Sequence, residues 1–332
     1  MRRWLVVVAI VGLGAGLLGA EGPAGSAGPL VPKSAAARPA KARRLLVFNL
    51  CLGHRHAVIP FAAETIARMG RETGAYETVV SENIGLFEPD SLAQFDAVFL
   101  NNTTGELFLP KDLNQLPTEA QQAARERDQR LRKSLADFVR GGKGLAGNHA
   151  ATASFYAWPE FGEMLGARFN SHPWGQFVAT FKIDDPNSPL TAMFKGRDFQ
   201  IKEEIYTFAD KASRKDYWFD HQPYSREKLR ILLSLDASGM DPAKRAKGGR
   251  ADNDYAISWI RRYGQGRVFY TAFGHGENVY RDEAILRHFL AGIQFVLGDL
   301  EADTTPSAAT KGTSDTAKRE SEPQGRVPGK PD

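Results

Sequence analysis

The sequence predicts an α/β domain built on a doubly wound, mostly parallel sheet with antiparallel strands added to it. Three observations carry this. Short, continuous apolar runs such as Leu45-Leu46-Val47-Phe48 and Ala97-Val98-Phe99-Leu100 read as strands buried on both faces, the mark of a parallel sheet. Helical patterns alternate with those runs through the first half of the chain. The second half is strand-rich with few helices, which fits antiparallel additions to a parallel core.

Taken in order, the first strand covers residues 45–50, and a helix opened by Pro60 runs through Met69. Proline suits a first helical turn because its missing N–H would be unpaired there anyway. Tyr76 to Val80 and Ala97 to Leu100 are the next strands. A charged, glutamine-rich helix follows from Glu119 to Val139 and stops at Gly141-Gly142. Leu145-Ala146 is a very short strand, and Ser154 to Leu165 a helix. Strands are then expected at 177–183, 201–208, 229–235, 255–260 and 268–271, and an amphipathic helix from Ala284 to Val296 closes the domain. Gly264-Gln265-Gly266 is a turn between two strands and not a phosphate cradle, since no helix follows it.

The ends differ in composition. Residues 1–20 start with Met1-Arg2-Arg3, continue in a short apolar run from Trp4 to Leu18 and leave through Gly19-Ala20, the layout of a secretory signal. The run falls short of the ~20 apolar residues of a spanning helix. The expected location is therefore periplasmic or extracellular, with membrane contact only if this segment is retained. Residues 21–42 (Ala, Gly, Pro, Lys) and 300–332 (Thr, Ser, Lys, Glu, Pro) carry too few apolar side chains to offset the entropy of ordering. They read as a disordered linker and tail around a domain at 43–299. The formal charge of +4 includes both signal arginines, and no basic stripe with interleaved aromatics is present, which disfavours nucleic acid as a partner. The single cysteine, Cys51, cannot form an internal disulfide and reads as a small buried hydrophobe.

Ligands of an open α/β sheet bind outside the carboxyl ends of its strands. The loops at that edge hold His54 and His56, then Asn101, Asn102, Thr103 and Thr104, then Asn148 and His149, and finally His275 between two glycines. Four of the seven histidines fall in these loops. His172, in Ser171-His172-Pro173-Trp174, is a fifth contributor, and Trp174 offers a flat aromatic face to a ligand. His288 lies on the last helix and reads as structural; His221 has no strand to place it. In the pair Glu203-Glu204, adjacent strand positions point to opposite faces, so one carboxylate faces the core. The expected set is His149, His275 and Glu204 as catalytic groups, with His54, His56, Asn101, Asn102, His172 and Trp174 contacting substrate. Imidazoles with an unperturbed pKa of ~6.5 suit general acid–base work near neutral pH. Alternatively, His54, His149 and His275 with Glu203 hold a divalent metal.

Several segments together resemble the ThuA-like (trehalose-utilisation) branch of the class I glutamine-amidotransferase-like superfamily. They are Gly53-His54-Arg55-His56, the run from Gly141 to Ala151, Ser171-His172-Pro173, Glu203-Glu204-Ile205-Tyr206, the run from Tyr263 to Tyr270, and Gly274-His275-Gly276. The resemblance implies a flavodoxin-like sheet and a role in the use of trehalose or related carbohydrates, with a small carbohydrate as the ligand. Where amidotransferases carry a nucleophilic cysteine in a tight strand-to-helix turn, this chain has His149. An imidazole cannot perform thiolate acyl transfer, and Cys51 follows a different strand, so glutamine hydrolysis is excluded as the expected activity. Two functions remain open at this level: a carbohydrate-processing enzyme, or a non-catalytic carbohydrate-binding module.

Overall fold

The apolar runs of the first half become the inner strands of one large sheet. In the computed structural model, which describes residues 31–208, 224–250 and 252–308, the chain runs β1 (Arg44–Phe48), α1 (Ile59–Thr73), β2 (Glu77–Ser81), α2 (Pro89–Leu92), β3 (Ala97–Asn101), α3 (Thr118–Arg140), β4 (Gly144–Asn148) and α4 (Pro159–Leu165). The second half adds β5 (Phe169–Ser171), β6 (Gln176–Ile183), β7 (Phe199–Glu204), β8 (Thr207–Phe208), β9 (Arg230–Leu235), α5 (Pro242–Ala246), β10 (Ala256–Tyr263), β11 (Gly266–Thr271) and α6 (Glu283–Leu297). The signal segment 1–20, most of the tail and His221 lie outside the described residues.

Nine strands form the sheet in the order β2-β1-β3-β4-β11-β10-β9-β6-β7, and β5 pairs with β8 in a small second ribbon. The first five are mutually parallel and have the flavodoxin-like 2-1-3-4-5 order. From β11 onward every pairing is antiparallel, so the added strands continue the same sheet. Every residue of β3 and β4 is buried, as both faces of a covered parallel strand must be. At the β10–β11 turn Gly264 takes φ +58, and a Cβ there would lie 2.8 Å from the carbonyl oxygen of Arg140.

Two elements differ from the sequence expectation. The helix expected from Ser154 starts only at Pro159: His149–Ala153 is a 3-10 turn, and Trp158 is extended at φ −127, ψ 87. A residue preceding proline is driven out of helical geometry by the ring's Cδ, which explains the late start. The expected strand at 201–208 breaks at Ile205-Tyr206 into β7 and β8. That break turns Tyr206 toward the site described below.

The linker expected at 21–42 is, over its described part, seated on α6. The amides of Ala36 and Ala37 donate to Oε1 of Gln294, whose Nε2 donates back to Ala37 O at 2.6 Å, and Arg43 grips Asp299. Residues 300–308 are held similarly, with the Ser307 amide on Leu229 O and its hydroxyl accepting from the Ile231 amide. Hydrogen bonds hold these segments together with a few apolar contacts (Val31, Ala35, Leu300 and Ala302), and a reading of apolar content has no signal for the hydrogen bonds. Among the described residues no helix is long and apolar enough to cross a membrane.

Candidate functional site

Strand ends bring the site together at the carboxyl edge of β1, β4 and β11. His56 follows β1, His149 follows β4, and His275 follows β11; Glu204 ends β7, which arrives from the far side of the sheet. The three ring centroids form a near-equilateral triangle: 4.9 Å for His56–His149, 5.3 Å for His56–His275 and 5.3 Å for His149–His275. Their planes stand nearly perpendicular to one another, at 80°, 85° and 88°. Oε2 of Glu204 lies 3.5 Å from Nε2 of His149 and 3.8 Å from Nε2 of His275. Its other oxygen is 3.6 Å from Nδ1 of His172.

His149 is the best defined of these groups. It occupies the left-handed region at φ 44, a conformation that costs a non-glycine residue free energy and persists only when its surroundings enforce it. Two contacts do so. The Tyr270 hydroxyl donates to the His149 carbonyl at 2.6 Å, and the ring Nδ1–H donates to Ala272 O at 2.9 Å. Because a carbonyl only accepts, Nδ1 carries a proton, and Nε2 is the ring nitrogen that faces Glu204. Tyr206 stacks on the ring at 4.2 Å with 29° between planes. Gly274 gives the neighbouring loop its close approach, at φ +143 and with a would-be Cβ 2.2 Å from Nδ2 of Asn148.

Glu203 and Glu204 divide their work. Glu203 is 2% exposed and turned into the protein, where Oε2 accepts from the Gly274 amide at 2.9 Å and Oε1 from the amides of Glu204 (2.8 Å) and His275 (3.3 Å). Burial pushes its pKa up, against the pull of His149 and those three amides. Glu204 is the carboxylate that meets the imidazoles. Burial works to raise its pKa, but contact with His149 and the fields of His275 and His172 outweigh that and hold it below the usual carboxylate range.

Burial, reinforced by His149, His275 and His54, pushes His56 down to about 3, and burial with the neighbouring His149 also lowers His275. On α6, burial pushes His288 down to about 4; its Nδ1–H donates to Leu190 O and its Nε2 meets the Ser258 hydroxyl at 2.8 Å, a structural role. The sign of the linkage follows. These imidazoles take up a proton more readily in the unfolded chain, so stability is complete above the unfolded pKa of ~6.5 and falls as pH drops below it. For His288 alone the loss reaches about 3 kcal/mol near pH 4. Denaturant melts between pH 7 and pH 4 check this: the midpoint falls in the wild type and falls less in His288→Asn.

Other expected site residues are placed differently. Asn101 and Asn102 are fully buried and contact neighbouring protein groups, so they support the site and do not line it. The Asn101 amide donates to Asn49 Oδ1 and Ile59 O, and the Asn102 backbone N–H donates to Asn148 Oδ1. Asn148 in turn donates to the Tyr280 hydroxyl at 2.8 Å, which fixes the residue preceding His149. Trp174 is engaged away from a sugar-stacking pose: its indole N–H donates to Lys244 O at 2.6 Å, and its ring meets Tyr255 edge-on. His54 is exposed, with its ring 4.7 Å from that of His56, and stands at the rim with His172. Of the expected metal ligands, His149 and His275 belong to the inner cluster, while His56 and Glu204 stand there in place of His54 and Glu203. Tyr206 was missed, though its position directly after Glu204-Ile205 was the available signal.

Cys51 stands apart from this chemistry. Its thiol donates to Asn102 O at 3.2 Å, and burial pushes its pKa up, so the thiolate that would react is suppressed. Native protein is expected to react slowly with a disulfide reagent and denatured protein fully, and Cys51→Ser is expected to leave any turnover at the imidazole cluster unchanged. Loss of turnover in Cys51→Ser at unchanged melting temperature would contradict this.

Comparison with known proteins agrees with this architecture. Two solved ThuA-like proteins share the fold. One, from Bacteroides uniformis, has a TM-score of 0.55 and 17% identity, with 82% of this chain and 98% of that one covered. The other, from Parabacteroides merdae, has a TM-score of 0.50 and 16% identity, with 80% and 93% covered. No curated protein matches the chain. The family described as ThuA, trehalose utilisation, matches residues 44–296, which span every strand of the large sheet and every residue of the imidazole cluster. The chain therefore belongs to the ThuA trehalose-utilisation family.

Proposed function

We propose that this chain is an exported carbohydrate-processing enzyme that acts on trehalose-like or related glycosides at the cluster of His56, His149, Glu204 and His275. The observation that carries the proposal is the convergence of three imidazoles from three separate strand ends on one carboxylate from a fourth. Histidines serving only as loop caps would have no reason to meet. Proton transfer to and from a sugar oxygen falls to His172, which is 53% exposed and so within reach of a bound ligand, while Oε1 of Glu204, 3.6 Å from its Nδ1, orients it. His149 and His275 flank the other oxygen of Glu204 and orient it. Family membership supports a carbohydrate as the substrate class, and the signal-like layout of residues 1–20 supports export.

The test is a panel of disaccharides and glycosides assayed with wild type and His172→Ala. Turnover of at least one compound, lowered in the variant about 100-fold, is the expected result. Saturable binding without turnover across the panel would instead mark a carbohydrate-binding module. For export, N-terminal sequencing of protein recovered outside the cytoplasm is expected to begin after Ala20; a start at Met1 or purely cytoplasmic recovery would contradict it.

A further inference from the structure

We infer that His56, His149, His275 and Glu204 are the ligands of one divalent transition-metal ion, with zinc the best fit. The inference rests on the reading that this cluster is the working site, and it specifies what the converging lone pairs hold.

Four observations support it. One donor atom from each of the four residues lies within 4.8 Å of all the others. Zinc–nitrogen bonds of 2.0–2.1 Å in tetrahedral geometry place ligand atoms about 3.4 Å apart. The 3.5 Å and 3.8 Å contacts of Glu204 are already near that value. A shift of about 0.7 Å per side chain closes even the widest pair.

The second observation is orphaned polarity. Nε2 of His149 is in a wholly buried ring, 3.5 Å from Oε2 of Glu204, and has no hydrogen-bond partner; Nδ1 of His56 is likewise buried without one, while His275 approaches Glu204 through its Nε2. A buried polar nitrogen left unpaired is costly, and two on adjoining rings of one cluster are hard to explain as packing. Third, the Nδ1–H of His149 is anchored on Ala272 O. Metal-bound histidines are typically held in this way, with the outer N–H on a carbonyl and the opposite lone pair directed at the ion. Fourth, the three rings stand mutually perpendicular around one centre, so they approach it from three directions without clashing.

Donor chemistry selects the ion. Three imidazole nitrogens and one carboxylate oxygen suit zinc and its first-row neighbours, whereas magnesium and calcium call for oxygen-rich sites. His54 and His172 lie outside the ligand set. With the ion in place, a sugar carbonyl or hydroxyl entering from the rim would be polarised by it on joining as a fifth ligand, and His172 remains as the imidazole for proton transfer.

The experiment uses full-length protein stripped with a chelator, then titrated with Zn(II) by calorimetry and with Co(II) by visible absorption. The expected result is one ion per chain, intense cobalt bands of a four-coordinate site, and a rise in melting temperature on adding Zn(II). His149→Ala and His56→Ala are each expected to weaken binding at least 100-fold and to abolish that rise, while His54→Ala and His172→Ala keep both. A metal-free melt of each variant establishes that it is folded. Failure of the wild type to bind either ion would overturn the inference, as would equal binding in His149→Ala. Recognition of a sugar by protein that binds no metal would overturn the ion and leave the carbohydrate reading standing. A bound ion with no sugar recognised from the panel would support the ion and count against that reading.

Discussion

Replacing His149 by alanine is expected to lower sugar turnover by about 100-fold or more while the chain still folds. The side chain is wholly buried at the meeting point of His56, His275, Glu204 and Tyr206, so no neighbouring group can take its place. The cost in stability is smaller. Truncation removes one hydrogen bond, to Ala272 O, worth about 1 kcal/mol. It also leaves a small void beneath Tyr206. His149→Asn provides a cleaner comparison, since asparagine tolerates the left-handed backbone at φ 44 better than alanine does. Steady-state kinetics with a denaturant melt of each variant check the prediction. A melt midpoint that collapses in both variants would mean that the residue serves the fold first.

Glu203→Ala should produce the largest loss of stability of any single change at the site, about 3 kcal/mol or more. The carboxylate holds three backbone amides, that of Gly274 buried and those of Glu204 and His275 partly buried, and losing the acceptor costs about 1–3 kcal/mol at the first and less at the other two. Two of those amides belong to Glu204 and His275 themselves, so the same change should also displace both groups and depress turnover. Glu203→Gln keeps the shape but presents an N–H to one of the amides, and an intermediate loss is expected. Equilibrium denaturation of the two variants distinguishes this from a solvated carboxylate, for which both losses would fall below about 0.5 kcal/mol.

Much of this arrangement was legible in the sequence because its physics is local. The apolar runs at 45–48 and 97–100 can only be covered strands, and the strand ends then indicate which loops share an edge. That puts the loop of His54 and His56 at one edge with His149 and His275. The division of labour between Glu203 and Glu204 was not legible. Alternation shows that two adjacent residues face opposite ways, but which one faces the site depends on how β7 packs against the loop at Gly274. His54 and His56 presented the same difficulty, being two residues apart in a loop without periodicity. Trp174 looked like a sugar platform beside His172. Its partners, Lys244 and Tyr255, lie 70 or more residues away, and no local pattern announces them. Asn101 and Asn102 illustrate the reverse case. A polar residue after a strand reads as a ligand contact, yet at this edge the first layer of amides is spent on holding the loops.

The central claim is that a sugar is bound at this imidazole cluster, and nitrogen-15 spectra of the histidine rings during titration with a disaccharide panel test it most directly. His288, buried on α6 and held by Leu190 and Ser258, serves as the internal reference. Saturable shifts of the ring signals of His172, His275 and His149 are expected with at least one sugar, at a common dissociation constant, while His288 stays fixed. Titrations in which a sugar binds but the cluster signals remain still, or in which His288 moves as much as they do, would contradict it.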